Sequence, residues 1–276
     1  MAILHNAILR GYNSIYLQAP HVEASDYPDF IGYCLSWYKF IKAHHDAEEV
    51  DLFPMCVDLL KKEDSEVWRK THEEHGEYQT PQYLFHSDED MYMQGSMEEG
   101  RCSPPSSKQP ADVGNVERTT EAMLPPLNTF NNYLTSLSSP SHLSPPHLIV
   151  LLDAIAPSLS THLHSEIAVI ASLSSFGSFP AAEPVLEAWG RNSVIRAGIF
   201  DVVPFIFLNI DSTFEDGVWK DWPPVPGPVR WLLVRGSKAW NGEWWKFASC
   251  DADGKPRELY ALRCEDTSGV ERSSAE

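Results

Sequence analysis

Apolar residues recur at helical spacing in four stretches of the chain, separated by segments in which the period is lost. The first covers about residues 2 to 18, with Ile3, Ala7, Leu9 and the Ile15/Tyr16/Leu17 group as its apolar contributors. The second covers about 27 to 60; it is entered through "SDYPDF", where Ser25 or Asp26 can cap and Pro28 sits early, and it is interrupted near Pro54. The third begins near Glu66 with "EVWRKTHEEHGEYQ". The fourth runs from about Pro146 to Leu173 and is expected to bend at Pro157, which lacks an N–H and frees a carbonyl one turn earlier. Four amphipathic helices imply a mainly α protein, a bundle whose interior can hold a ligand site.

Two segments fall outside this pattern. Residues 81 to 115, rich in acidic residues, Gly, Ser and Pro, keep no period and read as a disordered insertion. Periodicity returns in "VERTTEAMLPPLNTFNNYLTSL", the remainder of a helix that the insertion splits. The expected organisation is therefore a bundle over 1 to 176 and an extension over 177 to 276. That extension is crowded with proline and with Trp189, Trp219, Trp222, Trp231, Trp240, Trp244 and Trp245. It reads as short strands, turns and extended pieces wrapped on the bundle, or as a lid over its interior.

Composition narrows the function classes. A formal charge of −18 over 276 residues, with no basic patch, argues against nucleic acid and anionic membrane partners. The longest apolar runs are broken by Asp153, Asp201, Pro157 and Pro204, so no membrane span is expected. Cys34, Cys56, Cys102, Cys250 and Cys264 form no CxxC pair, which excludes a thiolate zinc motif and fits a reducing, cytoplasmic setting.

The chemistry lies in a repeated spacing. His44 and Glu48 stand four apart, as do His162 and Glu166, so each pair shares a helix face about 6 Å apart along the axis. His5 on the first helix and His75 on the third add a nitrogen from each remaining wall. Imidazoles with carboxylates suit iron, manganese or zinc, and two carboxylates among several histidines suit two bridged ions. His45, Asp46, Glu49 and Asp51 lie beside or opposite that face and read as its solvated side. His72, His86, His142, His147 and His164 read as ordinary surface residues.

Taken together, "HNAILRGYNSIYLQAP", "HHDAEEVDLFP", "EEHGEY" and "THLHSEI" resemble the successive metal-binding helices of the hemerythrin-like (HHE cation-binding) family, particularly its fungal branch. The tail segments "DGVWKDWPPVPGPVRWLLVRG" and "EWWKFASCDADGKPRELYAL" resemble the Trp-rich extension of that branch. The resemblance implies an up-down four-helix bundle around a non-heme di-iron centre. His5, His44, His75 and His162 would be terminal ligands, and Glu48 and Glu166 the bridging carboxylates.

The sequence departs from the oxygen carriers of the family on the third helix. The position four before His75 is Thr71, and His72 is only three away. In "NVERTTEAMLPPLNTF" the place of a family histidine is taken by Thr119 or Thr120. The carriers also place one more residue between the pair matched by His162 and Glu166. A ligand fewer leaves a metal position for water, dioxygen or substrate. The resemblance thus implies a protein that binds or senses dioxygen or iron, with a di-iron oxygenase or oxidase acting on a small organic metabolite as the alternative, and a metal-free structural bundle as the third.

Overall fold

The computed structural model describes residues 1–60, 117–175, 177, 179–223, 225–241 and 243–263. The helix expected from Glu66, with His75, and the insertion at 81 to 115 lie outside the described residues. The described chain is mainly helical, with no named strand and one isolated bridge between Cys250 and Pro256. Its main helices are α1 (Ala2–Gln18), α2 (Tyr27–Ala47), α3 (Phe53–Leu59), α4 (Glu117–Ser136), α5 (Pro145–Ser172), α6 (Phe179–Ala197), α7 (Val202–Phe207) and α8 (Gly227–Asn241). None of the described helices is long and apolar enough to cross a membrane.

Four of these helices carry continuous buried stripes at three- and four-residue spacing. They are Ile8, Gly11, Ile15 and Gln18 on α1; Phe30, Tyr33, Trp37, Phe40 and Ile41 on α2; Met123, Leu127, Phe130 and Leu134 on α4; and Leu148, Leu152, Ile155 and Leu159 on α5. α1 packs against α2 and α5, and α4 packs against the same two, so α2 and α5 face one another across the enclosed space. α5 stays one helix through Pro157. Asp153, whose carbonyl loses its usual donor there, is exposed, so water can satisfy that oxygen without a break in the helix.

Pro54 has a different effect from the expected interruption. A π-helical turn, Glu48–Leu52, joins α2 to α3, with the Phe53 N–H bonded to the Glu48 carbonyl five residues back. Proline can neither donate to nor tolerate the carbonyl four residues earlier, and a wider turn relieves both constraints while the chain keeps winding. The helix then runs to Leu59, and Leu60 is extended.

The extension corrects the expectation of short strands, since it holds α6, α7 and α8 and no named strand among its described residues. Pro180, Pro204 and Pro228 each fall in the first turn of one of these helices, where a missing N–H costs nothing. Its rings also enter the core shared with the bundle. Phe205 packs on Tyr33 and Phe40, and Phe247 on Phe30 and Tyr33. Two glycines make this docking possible: a Cβ on Gly32 would lie 2.0 Å from the Trp244 ring, and one on Gly11 would lie 2.4 Å from Phe205. Polar staples complete it. Gln18, fully buried, donates to the Phe247 carbonyl at 2.9 Å and accepts from the Ala261 N–H at 3.0 Å. Asn209 accepts from Tyr33 and Ser249, and Lys246 pairs with Asp26 and Asp29.

Candidate metal centre

At one end of the bundle the stripes change chemistry without changing register. On α1 the residue one turn before Ile8 is His5; on α2 the stripe continues from Phe40 and Ile41 into His44, His45 and Glu48; on α5 it continues from Leu159 into His162, Leu163 and Glu166. The helical period that buries leucine elsewhere therefore buries imidazole and carboxylate here. Beyond this polar layer a second apolar cluster closes the end, built from Leu52, Phe53, Cys56, Leu60 and Leu173 with Trp189 and Leu186 of α6 against it. The donors sit between two apolar cores and are shielded from water.

His5, His44, Glu48 and Glu166 each bring a ligand atom to within 4.8 Å of all the others, and all are buried. His5 Nε2 lies 3.0 Å from His44 Nε2 and 3.1 Å from Glu166 Oε2, and His44 Nε2 lies 3.2 Å from Glu48 Oε1. His162 stands next to this group, its Nε2 3.9 Å from Glu166 Oε2. Five of the six residues expected at the site are thus brought together, and the sixth, His75, lies outside the described residues. Thr119 and Thr120 fall in the first turn of α4.

Both oxygens of Glu48 and Oε2 of Glu166 are buried without an aligned hydrogen-bond donor. Buried acceptors are normally bonded, and leaving a charged one unmet costs several kcal/mol. The electrostatics record the strain. Burial pushes the Glu48 carboxyl well above the ordinary range, and the facing charge of Glu166 pushes the same way. Burial acts upward on Glu166 too, but the imidazoles of His5 and His44, the protonated carboxyl of Glu48 and the His162 ring together outweigh it and hold that carboxyl below the ordinary range. Burial lowers His44 to about 3, so its ring is neutral and able to donate a lone pair. Two imidazole rings and two carboxylates, with three unmet oxygens among them, form at one point a donor set for a divalent or trivalent cation of the iron, manganese or zinc class.

The expectation of a solvated side holds only for part of the motif. Asp46 pairs with Lys42 and Asp51 with Arg196 at the surface, as read from the sequence, and His142, His147 and His164 are exposed. His45 is instead 1% exposed, with its ring edge-on to His162 at 5.7 Å between centroids. Glu49 is half-buried, and burial followed by the charge of Glu166 lifts its carboxyl to about 7. The signal was present in the motif: His45 and Glu49 repeat the His44 and Glu48 spacing one residue later.

Of the rings of the extension, Trp189 lies in the cluster beyond the donors, and others sit elsewhere. Trp244, Trp245 and Phe247 pack on the Phe30 and Tyr33 end of α2. That position is about 18 Å along the helix from His44 at 1.5 Å per residue. The part of the extension nearest the donors is α6, through Trp189 and Leu186.

No family model matches the chain, and no solved structure matches it. A similar protein is the dimeric xanthone biosynthesis cluster protein R11 of Cryptosporiopsis sp. (strain 8999), 26% identical over 270 residues that cover 96% of this chain and 83% of that protein.

Proposed function

We propose that the chain is a hemerythrin-like metal-binding protein, an up-down four-helix bundle of α1, α2, α4 and α5 that holds a non-heme di-iron centre and binds or senses dioxygen or iron. The observation that supports this most strongly is the convergence of His5, His44, Glu48 and Glu166 within 4.8 Å, with three buried carboxylate oxygens lacking donors. A cation there would offset the desolvation of both carboxylates, which their mutual repulsion otherwise aggravates. His5, His44 and His162 would supply nitrogens from α1, α2 and α5, and Glu48 and Glu166 would supply oxygens able to span two ions. Bound iron would supply reversible dioxygen or redox chemistry, and the two flanking apolar clusters would keep water from it. The donors' burial favours a ligand as small as dioxygen. The negative net charge and the absence of an apolar span among the described helices accord with a cytoplasmic protein without nucleic-acid or membrane partners.

The second reading is a di-iron oxygenase or oxidase acting on a small organic metabolite. It is favoured by the likeness to a protein named for a xanthone biosynthesis cluster. Anaerobic loading with ferrous iron followed by metal analysis tests both readings. Retained iron in the wild type that is lost in Glu48→Ala and Glu166→Ala supports the metal centre. Iron no higher in the wild type than in these variants would leave a metal-free structural bundle. Oxygen uptake then separates the first two readings: reversible, stoichiometric uptake supports binding or sensing, and uptake that continues with consumption of an added metabolite supports an oxygenase.

A further inference from the structure

The α2 motif is doubled: His44 and Glu48 form one His-x-x-x-Glu pair, and His45 and Glu49 form another, displaced by one residue. Successive residues on a helix point 100° apart, so two adjacent histidines cannot aim at the same point unless the helix lies within the site. His44 turns to α1, where it meets His5 at 3.0 Å. His45 turns away from that side and meets His162 of α5, edge-on at 5.7 Å. Both rings are buried, His45 more completely than His44. A histidine with its side chain 1% exposed beside a second buried histidine and a buried carboxylate is an expensive way to fill a core position that leucine would fill better.

Glu166 Oε2 links the two sides. It is buried without an aligned donor, it lies 3.1 Å from His5 Nε2 on one side, and it lies 3.9 Å from His162 Nε2 on the other. The compact group of His5, His44, Glu48 and Glu166 accounts for one cation. His162 stands just outside that group, towards His45. Glu49 is half-buried and stands four residues on from His45, the spacing that sets Glu48 one turn on from His44. The wide turn that starts at Glu48 lies at this point, and such turns re-aim side chains by inserting a residue into the helical register.

Resting on the metal-centre reading above, we infer that the second cation position is completed from α2 itself, by His45 and Glu49 together with His162 and the shared Glu166 oxygen. The chain would then make up from a doubled motif on one helix the nitrogen that Thr119 and Thr120 do not offer on α4. The cation would be of the same iron, manganese or zinc class, held by two imidazoles and two carboxylates.

The test is an anaerobic titration with ferrous iron, and in parallel with cobalt(II), on the full chain and on His45→Gln and Glu49→Gln. The readouts are equivalents bound and the visible absorption of cobalt at each equivalent. The wild type should bind two equivalents. Each variant should keep the first, with its affinity unchanged, and bind the second about 10–100-fold more weakly or not at all, with the second-equivalent cobalt bands lost or displaced. Because His45 is buried, Glu49→Gln serves as the variant that keeps the fold, verified by an unchanged thermal melt without metal. Two equivalents with unaltered affinity in both variants would overturn the inference and leave the metal centre standing. A wild type that binds one equivalent, untouched by either substitution, would do the same. A wild type that binds neither metal would overturn the metal-centre reading itself.

Discussion

Replacing Glu48 by Gln should reverse its effect on stability according to whether metal is present. Glu48 is 1% exposed, and neither of its oxygens meets an aligned donor, while Glu166 presses a second carboxylate against it. Gln has the same shape, carries no charge, and can donate its amide N–H to Glu166. Burial and the facing Glu166 raise the Glu48 carboxyl, so the metal-free wild type must take up a proton there on folding at neutral pH, a cost that a permanently neutral isostere avoids. Each unmet buried acceptor removed is worth about 1–3 kcal/mol, from which imperfect placement of the new amide must be subtracted. A net gain near 2 kcal/mol would raise the melting temperature of the chelator-treated protein by about 4–8 °C in a chain of this size. With metal the ordering should invert. The wild type would gain about 2.7 kcal/mol at a free metal concentration one hundred times its Kd, and the variant, deprived of an anionic ligand, would gain little. Differential scanning calorimetry of both proteins, with chelator and with ferrous iron under anaerobic conditions, reads out all four states. If Glu48→Gln lowers stability equally with and without metal, Glu48 is a packing residue and the argument from unmet oxygens fails.

Other substitutions separate the site from the scaffold. Gly32→Ala would drive a Cβ into the rigid Trp244 ring, at 2.0 Å from its nearest atom; it should cost about 1–3 kcal/mol by chemical denaturation and leave iron content per folded chain unchanged. Gln18→Ala removes the amide that holds the Phe247 carbonyl and the Ala261 N–H. It should cost about 1–3 kcal/mol and accelerate limited proteolysis within the extension before the bundle is cut. His44 gives a pH dependence. Its pKa falls from 6.5 unfolded to about 3 folded through burial, so its contribution is present in full above pH 6.5 and is lost as pH falls towards 3. Against His44→Gln, the metal-free wild type should therefore lose about 3 kcal/mol between pH 7.5 and pH 4, measured by urea unfolding at each pH. A difference between the two proteins that does not change with pH would show that this ring stays solvated.

The helices of the bundle and the donors on them were legible in the chain because both are local properties. The stretches 2 to 18, 27 to 60 and 146 to 173 are matched by α1, by α2 with its π turn and α3, and by α5. The four-residue spacing of His44 with Glu48 and of His162 with Glu166 puts each pair on one face wherever the helix is placed. The extension was misread for an equally local reason. Its prolines suggested irregular chain, but a proline in a first turn is compatible with a helix, and only the observed starts of α6, α7 and α8 show that Pro180, Pro204 and Pro228 fall there.

What the chain alone determined is the inventory of faces: which residues must share a side of a helix, fixed by 3.6 residues per turn. Tertiary structure decided which faces are buried and what meets them, because burial depends on a neighbouring helix that can come from anywhere in the sequence. His45 and Glu49 look like the wet side of α2 when that helix is drawn by itself. The arrival of His162 on α5, more than a hundred residues later, turns His45 into a core residue, while Glu49 one turn on is left half-buried. The same holds for His5 and His44: the sequence gives each a helix and a face, and the packing of α1 on α2 brings their nitrogens to 3.0 Å.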